Sequence, residues 1–207
     1  MPERTINELM EAFERASKKD DFAVRAFFEE HEEEIEAIDV SIDPEHKGAK
    51  LRMLGEYGFA LSMAGYYSKA NRYLERAIQL FEEVVDGDRE RLKAAPFYEN
   101  MVWTHGTCLW YEKRIRESTL VFERLHRDHP ENDRYRGWLQ GLRAERIQFF
   151  ARPLWIVFFV LVLVHTYVAE EARDARLVLL LLLMVLFLGL LIAELVMYWM
   201  RRSLRSQ

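Results

Sequence analysis

The sequence predicts an all-α protein: an antiparallel array of helical repeats followed by a transmembrane helical hairpin. Two long apolar runs near the C-terminal end of the 207-residue chain predict the hairpin. Valine, isoleucine and threonine never alternate with polar residues in the pattern of a strand, so helices are predicted throughout. An internal similarity with a period of 48 residues predicts the repeats, because a repeated spacing of large and small residues indicates repeated packing.

The first helices are placed by their start signals. Thr5 and Glu8 have the spacing of a capping box, and a turn at 18–21 separates the helix that they open from the next. Asp43 followed by Pro44 is a typical helix start, with the aspartate as cap and the proline in the first turn. The helices predicted from these signals cover residues 5–17, 22–38 and 43–64.

The later helices are placed by their stop signals. Gly65 ends one helix and the Asp86-Gly87-Asp88 segment ends the next, while Pro130 stops a third. Pro96 lies inside an otherwise helical stretch and indicates either a late start or a kink. The helices predicted in this part cover residues 68–85, 88–112, 115–128 and 133–150, and Arg152-Pro153 predicts a break before the membrane.

The apolar runs cover residues 153–169 and 177–200. An α-helix rises about 1.5 Å per residue, so about 20 apolar residues cross the 30 Å hydrocarbon layer. The second run is long enough by itself, and the first is short and is interpreted together with it. Residues 153–200 are therefore predicted to be a hairpin in the lipid bilayer, and residues 201–207 a basic tail.

Basic residues predict the orientation of this hairpin. Arg173 and Arg176 lie in the loop between the runs, among three acidic residues. The arginines flanking the outer ends of the runs are Arg143, Arg146, Arg152, Arg201, Arg202 and Arg205. The excess predicts that both termini are cytoplasmic. The N-terminal residues lack an apolar signal core, and a bacterial inner membrane is the simplest location for such an anchor, although an organelle membrane remains an alternative.

Charge and cysteine content narrow the classes of function. The chain has a net charge of −5, and residues 1–40 hold 13 acidic and 5 basic residues, so nucleic-acid binding is not predicted. The acidic run at 29–34 indicates either a solvated helix face or an acidic docking surface. Cys108 is the only cysteine, which excludes an intrachain disulfide and favours a buried apolar role.

The internal similarity aligns two segments without a gap. The first set is Leu54, Tyr57, Gly58, Leu61, Gly65, Tyr67, Ala70, Leu74 and Ala77. Its counterparts, 48 residues later, are Val102, His105, Gly106, Leu109, Lys113, Ile115, Ser118, Phe122 and Leu125. Small residues recur at the same places in both sets, which predicts that pairs of helices pack closely there.

This pattern resembles the tetratricopeptide repeat. In that family a small residue in the first helix meets a small residue in the second, and a proline often ends the unit. Gly58 and Gly106 match the first small position, Ala70 and Ser118 the second. Ala77 matches a later small position in the first copy, and Pro130 closes the second copy. The period of 48 exceeds the usual 34, and Lys113 replaces the turn glycine.

The resemblance divides the chain further. Residues 41–130 are interpreted as two repeats and 131–152 as a capping helix with a linker. Residues 1–40 form an acidic helical pair that is interpreted as a possible degenerate repeat. An unrelated helical bundle remains the alternative to a repeat array.

The resemblance also implies a partner-binding groove on the first helix of each repeat. Its candidate residues are Arg52, Glu56, Phe59, Met63, Asn100, Thr104 and Thr107. The aromatic residues of the soluble part either line such a groove or fill the core; they are Tyr57, Tyr66, Tyr67, Tyr73, Trp103, Trp110 and Tyr111. A bound peptide or helix of a partner protein is the expected occupant.

Catalysis is not predicted. The sequence lacks a phosphate-binding glycine loop and a nucleophile motif, and His126 and His129 lack a third metal ligand at a suitable spacing. We therefore expect no cofactor and no metal.

Two polar residues stand inside the apolar runs. Glu194 is expected to pair with Arg152 or Trp155 across the hairpin, or with a residue of another membrane subunit. His165 is expected at the outer membrane boundary.

Two functions are consistent with these observations. The first is a membrane-anchored interaction or scaffold protein that recruits partners at the cytoplasmic face. The second is an accessory or assembly subunit of a larger integral membrane complex, held through the hairpin and Glu194.

Overall fold

The structure is a computed structural model that describes residues 6–41, 43–168 and 173–205. Within these ranges the regular secondary structure is entirely α-helical, which confirms that part of the predicted fold class. The helices there are α1 (Ile6–Ser17), α2 (Asp21–Glu30), α3 (Glu32–Glu36), α4 (Pro44–Met63), α5 (Tyr67–Val84), α6 (Arg89–Lys93), α7 (Pro96–Tyr111), α8 (Ile115–Asp128), α9 (Asp133–Val168) and α10 (Arg173–Arg205). The chain divides into a first unit up to Asn132 and a second unit from Asp133.

Side-chain caps explain where several helices begin. Asp20 accepts a 2.7 Å hydrogen bond from the backbone N–H of Ala23 at the start of α2. Asp43 accepts one of 2.9 Å from the N–H of Glu45, and Pro44 takes the first position of α4, as predicted. These bonds satisfy backbone donors that have no partner within the helix.

The first unit is built from neighbouring helix pairs. Helices α1 and α2, α4 and α5, and α7 and α8 pack together, each pair joined by a short turn. Successive pairs also touch, because α2 contacts α4 and α5 contacts α7. The first helices contact each other as well, α1 with α4 and α4 with α7. The three helix pairs thus contact one another in chain order within the first unit.

Two glycines allow the helices within a pair to approach closely. A Cβ atom on Gly58 would stand 2.7 Å from Cγ of Leu74, and one on Gly106 would stand 3.0 Å from Cε2 of Phe122. Ser118 is buried in α8, and its hydroxyl donates a 2.8 Å hydrogen bond to the carbonyl of Gly106. The remaining predicted packing residues comprise the buried Ala70 and Ala77 and the exposed Pro130.

The turns after α4 and α7 have the same backbone geometry. Gly65 has a φ of 83° and Lys113 a φ of 64°, so both residues are left-handed. The next N–H in each turn, Tyr66 in one and Arg114 in the other, donates a 2.9 Å bond to the carbonyl five residues earlier. This is the Schellman pattern of helix termination. The geometry recurs at the 48-residue interval of the sequence alignment.

Three helix boundaries differ from the predictions. The helix predicted over 22–38 is divided at His31 into α2 and α3. The stretch predicted over 88–112 is two helices, with Pro96 at the start of α7 as a late start rather than a kink. The predicted break at Arg152-Pro153 is wrong, because α9 continues through Pro153 without interruption.

The second unit consists of α9 packed against α10. The residues predicted as a separate capping helix therefore continue into the first apolar run as one helix. The ring of Phe187 lies 5.7 Å from that of Phe158 and 6.5 Å from that of Trp155. The segments Asp133–His165 and Val178–Val196 are long and apolar enough to cross a membrane, and their most apolar windows are only 6% and 11% buried.

Candidate functional site: the first-helix face

The predicted groove residues lie on two neighbouring first helices. Helical periodicity places residues spaced three and four apart on one face. The residues on α4 are Arg52, Glu56, Phe59 and Met63, and those on α7 are Asn100, Thr104 and Thr107. We call this set, with the contacting residues of α1, the first-helix face.

Charged side chains connect α1 to α4 on this face. The Arg52 guanidinium donates to Glu14 of α1 and to Glu56, both at 3.0 Å. Ser17 of α1 donates a short hydrogen bond to Glu56. The hydrogen bond to Glu56 raises the pKa of Arg52. This part of the face therefore holds two carboxylates around one permanent positive charge.

Aromatic side chains connect α4 to α7. The rings of Phe59 and Phe97 meet edge to face, with centroids 5.8 Å apart. Gly55 makes this approach possible, since a Cβ atom there would stand 2.8 Å from Cζ of Phe97. Gly55 and Phe97 were not among the residues predicted from the sequence. A glycine three residues before Gly58 in the same helix was the available signal, because glycine inside a helix indicates close packing.

The exposed part of the face is limited to a few side chains. Met63 is 77% exposed and Asn100 is exposed. Thr104 and Thr107 are half-buried, and the Thr107 hydroxyl donates a 2.8 Å hydrogen bond to the Thr104 carbonyl. The face therefore combines a polar region around Arg52, an aromatic region around Phe59 and an exposed methionine.

Two of the aromatic residues that were predicted either to line a groove or to fill the core belong to the core. Tyr57 and Tyr73 are almost fully buried, and the ring of Tyr57 stacks on Phe28 at 3.9 Å. Each hydroxyl reaches a carboxylate: Tyr73 donates to Glu32 at 2.6 Å, and Tyr57 lies 3.4 Å from Glu29. Burial raises the pKa of both tyrosines. The core interpretation holds for these two residues.

Two other titratable side chains of the first unit, those of His105 and Cys108, are shifted in pKa by burial in the protein interior. Burial lowers the pKa of His105 and raises that of the Cys108 thiol, which lies 3.2 Å from the Ser62 hydroxyl. Among the described residues, groups of three or more His, Cys, Asp or Glu side chains placed to hold a metal do not occur.

A buried lysine was also missed. The ammonium of Lys50 donates to the carbonyls of Glu36 at 2.8 Å and Ile38 at 3.3 Å. Glu36 in turn accepts two hydrogen bonds from Arg76. This cluster holds the end of α3 against α4 and α5. It had no signal in the sequence, because its members are far apart along the chain.

The two polar residues of the hairpin have different environments. Glu194 is exposed on α10, and the side chain of Arg152, its predicted partner, lies outside those the structure describes. The ring of Trp155 packs with those of Phe158, Phe159 and Phe187. Nε2 of His165 is buried and has no hydrogen-bond partner among the described residues.

Comparisons of the whole chain found no matching protein family, no similar curated protein and no similar solved structure. The function is therefore inferred from the geometry of this chain.

Proposed function

We propose that this protein is a membrane-anchored, tetratricopeptide-like scaffold that recruits a protein partner at the cytoplasmic face of a bacterial inner membrane. The observation that carries the proposal is the combination of an exposed first-helix face with two apolar helices whose side chains have almost no protein cover. The first supplies a surface for a partner, and the second requires an apolar environment such as lipid.

The repeated geometry of the first unit supports the tetratricopeptide-like arrangement. Gly58 faces Leu74 as Gly106 faces Phe122, and the two contacts are 48 residues apart. Gly65 and Lys113 repeat the left-handed turn at the same interval. Because packing, turn and spacing recur together, a duplicated helix pair explains them better than an unrelated bundle.

The chemistry of the first-helix face favours a peptide or helix as the partner. Arg52 and Glu56 offer charged groups for polar recognition, and the exposed Met63 offers apolar contact. Binding to such a surface depends on complementarity, and no bond is made or broken. Tethering to the membrane raises the effective concentration of the protein near membrane-bound partners.

Site-specific photocrosslinking tests this proposal in cells that make the full chain. A photoreactive phenylalanine analogue at Asn100, on the exposed part of the first-helix face, is expected to give a discrete crosslinked protein. The control carries it at Leu120, which is 66% exposed on α8. Equal crosslinks at both positions, or none at Asn100, would contradict the scaffold function.

A second candidate, an accessory subunit of a membrane complex, is favoured by Glu194. This carboxylate is exposed on α10, in the run 177–200 that holds no other charged residue. A carboxylate inside lipid is costly unless it finds a partner. The test is purification of the full chain in mild detergent as wild type, Glu194→Leu and Glu194→Gln. A stoichiometric membrane protein lost in Glu194→Leu would favour the subunit, whereas co-purification independent of Glu194 would exclude this role for the residue.

A further inference from the structure

The three turns inside the helix pairs lie side by side along one edge of the first unit. The guanidinium of Arg25 in α2 lies 5.6 Å from the ring centroid of Phe22 and 5.8 Å from that of Tyr66, in the turn before α5. Next to Tyr66, the ring of Tyr67 stacks on Tyr111 at 4.2 Å, at the end of α7. The contacts form one continuous line from the first pair to the third. We call the segments 18–25, 66–72 and 110–117 the turn edge.

Aromatic side chains on the turn edge are exposed. Phe22 is 69% exposed, Tyr66 is 57% exposed and Tyr111 is 50% exposed. The ammonium of Lys113 lies 5.3 Å from the ring centroid of Trp110. Exposed aromatic rings beside basic groups are typical of surfaces that meet lipid headgroups, because a ring buries its apolar body while the cation stays at the phosphate level.

Charge is distributed very unevenly between this edge and the remainder of the first unit. The turn edge holds eight lysines and arginines and four aspartates and glutamates. The remainder of residues 6–132 holds ten basic and 23 acidic residues. The first unit as a whole is therefore acidic, and its positive charge is concentrated on the edge that carries the exposed aromatics.

Lys113 has a strained backbone conformation in the turn. Its φ of 64° is left-handed, a conformation that glycine adopts without strain and lysine does not. The equivalent turn 48 residues earlier uses Gly65 with a φ of 83°. Folding alone favours glycine at both places. Lys113 therefore adds a positive charge to the turn edge at some cost in backbone strain.

We propose that the turn edge docks on an anionic lipid surface and thereby orients the first unit against the membrane that anchors the chain. The proposal rests on the membrane hairpin of the proposed function. The cations of the edge meet lipid phosphates, and Phe22, Tyr66 and Tyr111 enter the headgroup layer. The acidic surfaces of the first unit then face away from the lipid, where they avoid like-charge repulsion.

Fluorescent labels at two matched positions, each an alanine replaced by cysteine, measure the docking. Ala64 lies two residues before the 66–72 segment of the turn edge, and Ala94 lies two residues before α7. Both are exposed, and both end a helix in nearly the same conformation, with φ of −82° and −75°. The single native thiol, Cys108, is buried and stays unlabelled. Full-length Ala64→Cys and Ala94→Cys proteins, each labelled with one fluorophore, are reconstituted in vesicles that contain nitroxide-headgroup lipid.

Docking predicts stronger quenching at position 64 than at position 94 in vesicles that contain phosphatidylglycerol. The difference is expected to shrink in phosphatidylcholine vesicles and at high salt, because both weaken the attraction between cations and the surface. Equal quenching at the two positions, stronger quenching at 94, or quenching at 64 that ignores lipid charge would overturn the proposal. An edge that binds an acidic protein instead of lipid would give equal quenching at the two positions.

A charge variant separates docking from folding. Lys113→Gly is expected to lower the ratio of docked to undocked molecules about fivefold, the factor for one lysine near an anionic surface. The same variant is expected to leave the melting temperature unchanged or raised, because glycine relieves the backbone strain. Undiminished quenching in Lys113→Gly would overturn the role of this charge.

Alkaline extraction of the same vesicles distinguishes the two proposals. A chain that stays in the vesicles but shows no preference for position 64 refutes only the docking. A chain that is extracted refutes the membrane hairpin itself.

Discussion

Gly58 in α4 and Leu74 in α5 are so close that a Cβ atom on the glycine would stand 2.7 Å from Cγ of the leucine. Real Cβ atoms do not approach that closely, so the two helices must separate or Leu74 must leave its position if a larger residue is introduced. The closest packing of this helix pair therefore depends on the absence of a side chain at Gly58.

We expect Gly58→Leu to lower the free energy of unfolding by about 3 kcal/mol, the upper range for overpacking a core. Gly48→Leu is the control, because it lies in the same helix with no atom within 4 Å of its would-be Cβ. Thermal unfolding of the full chain in detergent, followed by circular dichroism, measures both. Equal melting temperatures for the two variants would contradict the close packing.

The left-handed turn at Gly65 predicts that replacing a glycine by alanine has opposite effects on stability at positions 65 and 48. Gly65→Ala should destabilise the protein by about 1 kcal/mol, because an alanine at a φ of 83° is strained. Gly48→Ala should stabilise it by up to about 1 kcal/mol, since alanine is the better residue inside a helix. Denaturant unfolding of both variants gives the two signs, and a stable Gly65→Ala would be inconsistent with the turn geometry.

The ion pair between Glu36 and Arg76 predicts a pH dependence of stability. The hydrogen bond from Arg76 holds the pKa of Glu36 below its ordinary value of 4.5. A carboxylate with a lowered pKa stabilises the folded state above its unfolded pKa, and this contribution is lost as the pH falls through the folded pKa.

Glu36→Gln should therefore cost about 1 kcal/mol near neutral pH, as expected for a well-formed but partly exposed pair. The cost should vanish in acid, where the wild-type carboxyl is protonated as well. Glu33→Gln is the control, because Glu33 is exposed in the same short helix. Melting temperatures measured across the acid range give the comparison, and a cost that does not change with pH would argue against the ion pair.

The proposed orientation of the hairpin predicts which introduced thiols an external reagent reaches. A cysteine in place of Ala172, between the two apolar runs, should react with a membrane-impermeant maleimide on intact cells. Ala94→Cys should react only after the membrane is permeabilised. Cys108 is buried and gives little background. The reverse pattern would place both termini outside the cytoplasm.

Local chemistry was predictable where one residue determines the backbone. Asp43-Pro44 determines the start of α4, and Gly65 determines its end. The capping carboxylate of Asp43, the ring of Pro44 and the missing side chain of Gly65 each act on the backbone within a few residues. The left-handed backbone of Lys113 was not predictable, since lysine gives no signal for a positive φ. Only the alignment with Gly65 pointed to that turn.

Burial by residues that are distant along the chain was harder to predict from the sequence. Tyr57 and Tyr73 fitted a groove and a core equally well, and the choice depended on Phe28, far away in the chain. Pro153 was wrongly predicted to break α9. A proline removes one backbone hydrogen bond, and the many remaining bonds of a 36-residue helix can hold it together.

The uninterrupted α9 gives the proposed anchor the mechanics of a lever. The residues from Asp133 to Arg152 form an aqueous arm about 30 Å long at 1.5 Å per residue. This arm belongs to the same uninterrupted helix as the apolar part. A change of ten degrees in the tilt of the apolar part would swing the end of the arm by about 5 Å. Since helix tilt follows bilayer thickness, the arm would convert membrane thickness into a displacement of its end outside the bilayer.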